Sequence, residues 1–190
     1  MFRAKSFIVA LSVVWWFGGV AEAQTVDNPV YQVWSIWREG ASVTTKTELT
    51  KNGKTEAPIK QTQTLKSLSA DKAVIDASME LEVNGKPFKT PLAPFEIAAK
   101  IEGSATVPPT KRDPNAPAAA PKMNKGQEKL TINGKTVNCE WHEYEIAKGQ
   151  TVKTWYCDDI PGRVAKMVST NDTTKTNTVM AVVEFKGAKK

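Results

Sequence analysis

One tripeptide occurs three times along this chain: Asn52-Gly53-Lys54, Asn84-Gly85-Lys86 and Asn133-Gly134-Lys135. Asn followed by Gly supplies the two positive-φ residues that a two-residue type I′ hairpin turn requires. Each copy is flanked by alternating, β-prone residues, so three such turns predict an antiparallel meander. The alternation places strands at roughly 41–51, 54–66, 72–83, 86–91, 95–101, 127–132, 135–146, 150–158, 163–170 and 177–186. Pro87, Pro91 and Pro94 weaken the fourth and fifth, because proline removes a ladder donor.

A single helix is expected before the strands, over 29–39. Asn28 is a favourable N-cap, Pro29 fits the first helical position and Gly40 suits the C′ end. Val30, Val33, Trp34 and Trp37 follow the i, i+3, i+4, i+7 stripe of an amphipathic helix. Two indoles on so short a helix require a sheet to bury them. The fold class is therefore mainly β: an antiparallel meander sheet packed on one N-terminal helix.

The first 23 residues read as a cleaved secretory signal. Arg3 and Lys5 form a basic start, Phe7 to Val20 is apolar, and Ala21-Glu22-Ala23 places small residues where a signal peptidase needs them. The apolar run falls short of the roughly 20 residues that span a bilayer. Cleavage after Ala23 leaves Gln24 as the new terminus and places the protein in the periplasm or outside the cell. The full chain carries a formal net charge of +6; losing Arg3, Lys5 and Glu22 leaves +5. The lysines are scattered rather than gathered into a stripe, which argues against a nucleic-acid partner. Residues 24–190 read as one β-rich domain. Within it, 104–125 holds five prolines and five alanines and reads as an exposed loop or linker with little to bury.

The segments 136–146 and 150–157 carry the most information. Between them, Ala147-Lys148-Gly149 matches a three-residue hairpin loop ending in a left-handed glycine. That loop sets Ile146 opposite Gln150, Glu143 opposite Lys153, Trp141 opposite Trp155 and Cys139 opposite Cys157. The only two cysteines are thus brought together by the turn alone, at a non-hydrogen-bonded site whose closer spacing suits a disulfide. An exported chain favours the bridge as well. Both faces of this hairpin carry apolar residues, which places it centrally in the sheet.

Chemistry is hard to assemble from the remaining residues. His142 is the only histidine, and on a strand Glu143 points to the opposite face. Two thiols and one histidine give no zinc spacing. Asp158-Asp159 before Ile160-Pro161-Gly162 read as turn formers. No catalytic residue, metal site or cofactor is expected, and the chain does not read as an enzyme. Trp34, Trp37, Trp141 and Trp155 are either core or the lining of an apolar pocket, where tryptophan is favoured around a hydrophobic ligand.

The stretch Lys153-Thr-Trp-Tyr-Cys-Asp-Asp-Ile-Pro-Gly162, followed by Val164 and Lys166, resembles the Trp-x-x-x-x-(Ile/Val)-Pro-Gly stretch of exported bacterial β proteins. It is similar to the broad LolA-like group of periplasmic lipoprotein carriers and to secreted planctomycete-type proteins of unassigned function. The Trp34/Trp37 helix, Gly40-Ala-Ser-Val43 and Val182-Val-Glu-Phe185 resemble the latter. The resemblance implies a curved, half-barrel-like sheet wrapped on the helix, with a lipid or other apolar ligand in its concave face. The chain departs from the carriers in its single helix, its disulfide hairpin and its Pro/Ala-rich insertion. Two functions follow: a non-enzymatic binding module with Trp34, Trp37, Trp141 and Trp155 at the ligand, or a structural or interaction protein of the periplasm or cell surface with a filled core.

Overall fold

A computed structural model describes residues 25–83, 85–102 and 123–190. The leader 1–23, its cleavage point and most of the 104–125 segment lie outside these residues. In chain order the elements are β1 (Thr25–Asp27), α1 (Pro29–Ser35), β2 (Ser42–Lys51), β3 (Lys54–Thr55), β4 (Ile59–Leu68), β5 (Lys72–Val83), β6 (Lys86–Ala98), β7 (Lys100–Glu102), β8 (Met123–Ile132), β9 (Lys135–Ala147), β10 (Gln150–Tyr156), β11 (Val164–Asn171) and β12 (Thr176–Lys186). Among the described residues the fold is mainly β with one helix, near the N-terminal end.

β1 pairs with β7, and the remaining strands form one antiparallel sheet in the order β6-β5-β4-β2-β12-β11-β10-β9-β8, with β3 on β2. Two meanders are zipped together where the last strand, β12, lies along the first long one, β2. The sheet is bent without closing. β8 approaches β12 although three strands lie between them, and Lys135 Nζ of β9 stands 5.0 Å from the Phe185 ring of β12.

Two Asn-Gly turns have the expected conformation: φ is 50° and 76° at Asn52 and Gly53, and 47° and 76° at Asn133 and Gly134. At the third, Gly85 has φ of 75°, and Asn84 lies outside the described residues. The expected strands at 86–91 and 95–101 are joined as β6, with a short β7 after it. Its prolines are tolerated because β6 is an edge strand, where a missing donor breaks only the outer side of the ladder. Pro94 falls at a register shift opposite Ile75 and Ala77. The loop assigned to 104–125 ends earlier than expected, because Met123, Asn124 and Lys125 already pair with Tyr144, Glu143 and His142.

The helix is shorter than expected. Asn28 caps it as anticipated, accepting a hydrogen bond from the Val30 N–H at 3.0 Å, but α1 ends at Ser35. Beyond it, the C-terminal segment takes over the backbone: Arg38 N–H donates to Ala188 O, Lys190 N–H donates to Ile36 O, and Trp37 bridges Lys189. Gly40 is left-handed, at φ of 86°, but it turns the chain into β2 rather than ending the helix. The buried core joins Trp34 and Trp37 to Val43, Leu65, Ala73, Ile75 and Ile97, and onward to Ile160, the disulfide and Trp155.

Candidate functional site

The cysteine hairpin has the expected register from Thr151 opposite Glu145 through Tyr156 opposite Glu140, with Trp155 opposite Trp141. The single departure is at the loop, where Gln150 pairs with Ala147 and Ile146 is left as a bulge. Cys139 and Cys157 are bonded, with Cα atoms 4.4 Å apart. The hairpin is not central: β9 lies next to the edge strand β8.

The four tryptophans divide into two pairs. Trp34 and Trp37 are buried, Trp34 against Gly162 and Trp37 beside Ala41 and Gly187. The Trp37 indole N–H is a buried donor with no acceptor. Trp155 is buried and Trp141 half-buried, with Lys153 Nζ 3.9 Å from the Trp141 ring and 4.9 Å from the Trp155 ring. Trp155 Nε1–H donates to Glu128 Oε2 at 2.8 Å. The structure brings Trp141 and Trp155 together on one sheet face and leaves Trp34 and Trp37 at the helix.

Directly paired residues share a sheet face, so the register sorts the whole sheet into two sides. One row runs across nine strands: Phe88, Leu81, Ile59, Thr47, Met180, Met167, Thr154, His142 and Lys125. Neighbouring rows on that side add Met79, Leu92, Phe95 and Val182, and Val152, Tyr144 and Met123. All four methionines of the described residues therefore lie on one face. From β6 to β10 its only charged side chains are Lys51, Lys54 and Lys86, next to hairpin turns. The opposite side carries the ion pairs Lys46–Glu48, Lys60–Glu80, Lys72–Glu96 and Glu184–Lys186, and Lys66 at the β4 bulge with Asp76. The contrast holds over β6, β5, β4, β2 and β12; at β9 and β10 the ion-paired side instead carries buried Val137, Cys139 and Trp155.

The uncharged face is not fully covered. Phe88 is 60% exposed, Ile59 40% and Phe95 39%, and Met79, Met167, Met180 and Leu81 are half-buried. These residues were missed from the sequence. The available signal was the alternation Ala77-Ser78-Met79-Glu80-Leu81-Glu82, which separates an apolar from a charged side within β5. Methionine is common on adaptable binding surfaces because its thioether is unbranched and polarisable.

At the β9 end of this face lies a polar groove of about 760 Å³, lined by Gln127, Glu128, Lys129, Asn138, Cys139, Glu140, Tyr156, Asp158, Asp159 and Arg163. Its lining contains none of the four tryptophans. His142 Nε2 and Glu140 Oε1 are 2.9 Å apart. That hydrogen bond is the main reason the Glu140 carboxyl is held below its ordinary value; desolvation opposes it, and the nearby charges of His142, Lys125 and Arg163 add to the lowering. Asp158 and Asp159, expected as turn formers, follow β10 and pair with Arg163 at 2.9 Å and Lys189 at 2.8 Å. No group of three or more His, Cys, Asp or Glu among the described residues could hold a metal. No described helix is long and apolar enough to cross a membrane.

No family model and no curated protein matches this sequence. Among solved structures, the chain is similar to a Bacteroides fragilis protein assigned as exported, with a YmcC-like fold. The identity is 11%, the match covers 80% of this chain and 99% of that one, and the TM-score is 0.44. It is also similar to a DUF1329 family protein from Desulfovibrio piger (10% identity, 83% and 90% covered, TM-score 0.28). A LolA superfamily protein from Nitrosomonas europaea matches as well (8% identity, 85% and 93% covered, TM-score 0.23). LolA-like chains are thus among the structural neighbours, as the short motifs suggested, while the likeness to planctomycete-type proteins is not supported by them. With TM-scores below 0.5, these likenesses carry no functional argument.

Proposed function

We propose that this protein is an exported, non-enzymatic binding module that holds a lipid or similarly apolar ligand across the uncharged face of its sheet. The observation that carries this reading is the separation of the two faces from β6 to β10, with Met79, Met167 and Met180 on the side almost free of charge. A half-exposed apolar surface of this breadth on a lone chain is the usual mark of an interaction site. The leader-like start and the bridge between the only two cysteines support export. In this reading Trp34, Trp37 and Trp155 hold the scaffold, and the ligand lies on Met79, Leu81, Met167 and Met180. Native mass spectrometry of the mature chain, purified from the periplasm of a bacterial host, tests it. A co-purifying lipid, released by organic extraction, is the expected result. A bare chain that also fails to take up an added acyl chain would favour the filled-core structural protein instead.

A further inference from the structure

Resting on the ligand face proposed above, we infer that the ligand is an amphiphile with a zwitterionic head, seated in the polar groove beside Tyr156. Face and groove are continuous. Glu140 and Tyr156 line the groove and are cross-strand partners; the next pair on the same side, half-buried His142 with buried Thr154, belongs to the long row that continues through Met167 and Met180. Successive pairs on one side of a strand are about 7 Å apart, so a tail lying along the row delivers its head directly into the groove.

The charges there select the head. Lys129 and Arg163 present positive groups, and Glu128, Glu140, Asp158 and Asp159 present carboxylates, of which Glu128 already accepts from the Trp155 indole and Asp159 is held by Lys189. A phosphate and an ammonium on one head each find a partner of opposite sign. A purely anionic head meets four carboxylates, and a purely cationic one leaves Lys129 and Arg163 without a partner on the ligand. The ion pairs now in place do not block entry. Asp158 and Arg163 are largely solvent-exposed, and exposed pairs contribute only about 0–1 kcal/mol, so they exchange partners readily. The groove volume falls within the range of about 300–1,000 Å³ usual for small-molecule sites.

The test is displacement of a fluorescent acyl probe from the mature full-length chain by lipids of matched acyl chains. Phosphatidylethanolamine should compete about tenfold better than phosphatidylglycerol or a cationic lipid, a difference of about 1.4 kcal/mol. Lys129→Gln and Asp158→Asn should each reduce that preference to about twofold. Two substitutions at separate surface positions guard against misfolding of either one. Equal competition by all heads in the parent would overturn the head assignment and leave the ligand face standing. Failure of the parent to bind the probe would overturn the ligand face and this inference with it.

Discussion

A methyl group placed on Gly126 would lie 2.7 Å from Cε2 and Cζ2 of Trp141. The backbone at Gly126 is not left-handed, so the demand for glycine is one of space. The indole lies against the neighbouring strand, with Lys153 over its ring. Gly126→Ala should therefore cost about 1–3 kcal/mol, as overpacking does. In a Trp141→Leu background most of that cost should vanish, and a double-mutant cycle by chemical denaturation reads the difference. Additive losses would show that Trp141 is not the obstacle. Trp37 makes the opposite demand. Trp37→Ala should cost about 3–5 kcal/mol as a core truncation. Trp37→Phe should cost clearly less, because it keeps an aromatic ring and removes a buried donor without an acceptor. The helical stripe accounts for the burial of Trp34 but not of Trp37, which lies beyond the helix and is buried through its bridge to Lys189, while Val30 of the same stripe is exposed. The slot at Gly126 was not legible in the sequence, because nothing in a run of Lys, Gly and Gln reveals that an indole from the next strand lies over it.

Within a hairpin, the turn alone fixes most of what matters. Ala147-Lys148-Gly149 was enough to set Trp141 opposite Trp155 and Cys139 opposite Cys157, and the one error, the bulge at Ile146, is confined to the loop. Replacing both cysteines by alanine should lower stability by about 2–4 kcal/mol, the usual contribution of a bridge closing a loop of this size. Denaturant unfolding of the parent with and without reductant should give the same loss; equal midpoints would mean that the bridge closes nothing the strands do not. β6 illustrates what stays hidden at this scale. Its prolines read as breaks, because a strand's place in the sheet decides whether a missing donor matters, and sheet order is a long-range property. At the edge, proline protects instead, by removing donors from a strand that could pair with another molecule. Pro87→Thr with Pro91→Thr should thus leave thermal unfolding nearly unchanged and raise self-association, read by light scattering.

Alternation marks two sides within each strand, but only register across the sheet says how those sides combine. The decisive seam is β2 against β12, two strands far apart in sequence, and no turn signal links them. Only once that seam is known do Leu81, Ile59, Met180 and Met167 fall on one side and Lys60, Glu80, Lys46 and Lys166 on the other. The antiparallel class, the helix and the disulfide could be read from local pattern, whereas the candidate ligand face could not. Two adjacent residues in β12 test its polarity. Met180 stands in the middle of the uncharged side, between Met167 and Thr47. Ala181 stands on the charged side, between Lys166 and Lys46. Met180→Glu puts a carboxylate where a ligand chain would lie, and should reduce acyl-probe binding by about 100-fold, equivalent to about 2.7 kcal/mol. Ala181→Glu adds the same charge between two lysines, a favourable cross-strand arrangement, and should leave probe affinity unchanged. Thermal unfolding of both variants separates loss of binding from loss of fold. Equal loss of binding in two folded variants would place the ligand elsewhere, and unchanged binding in both would return the uncharged face to a purely structural role.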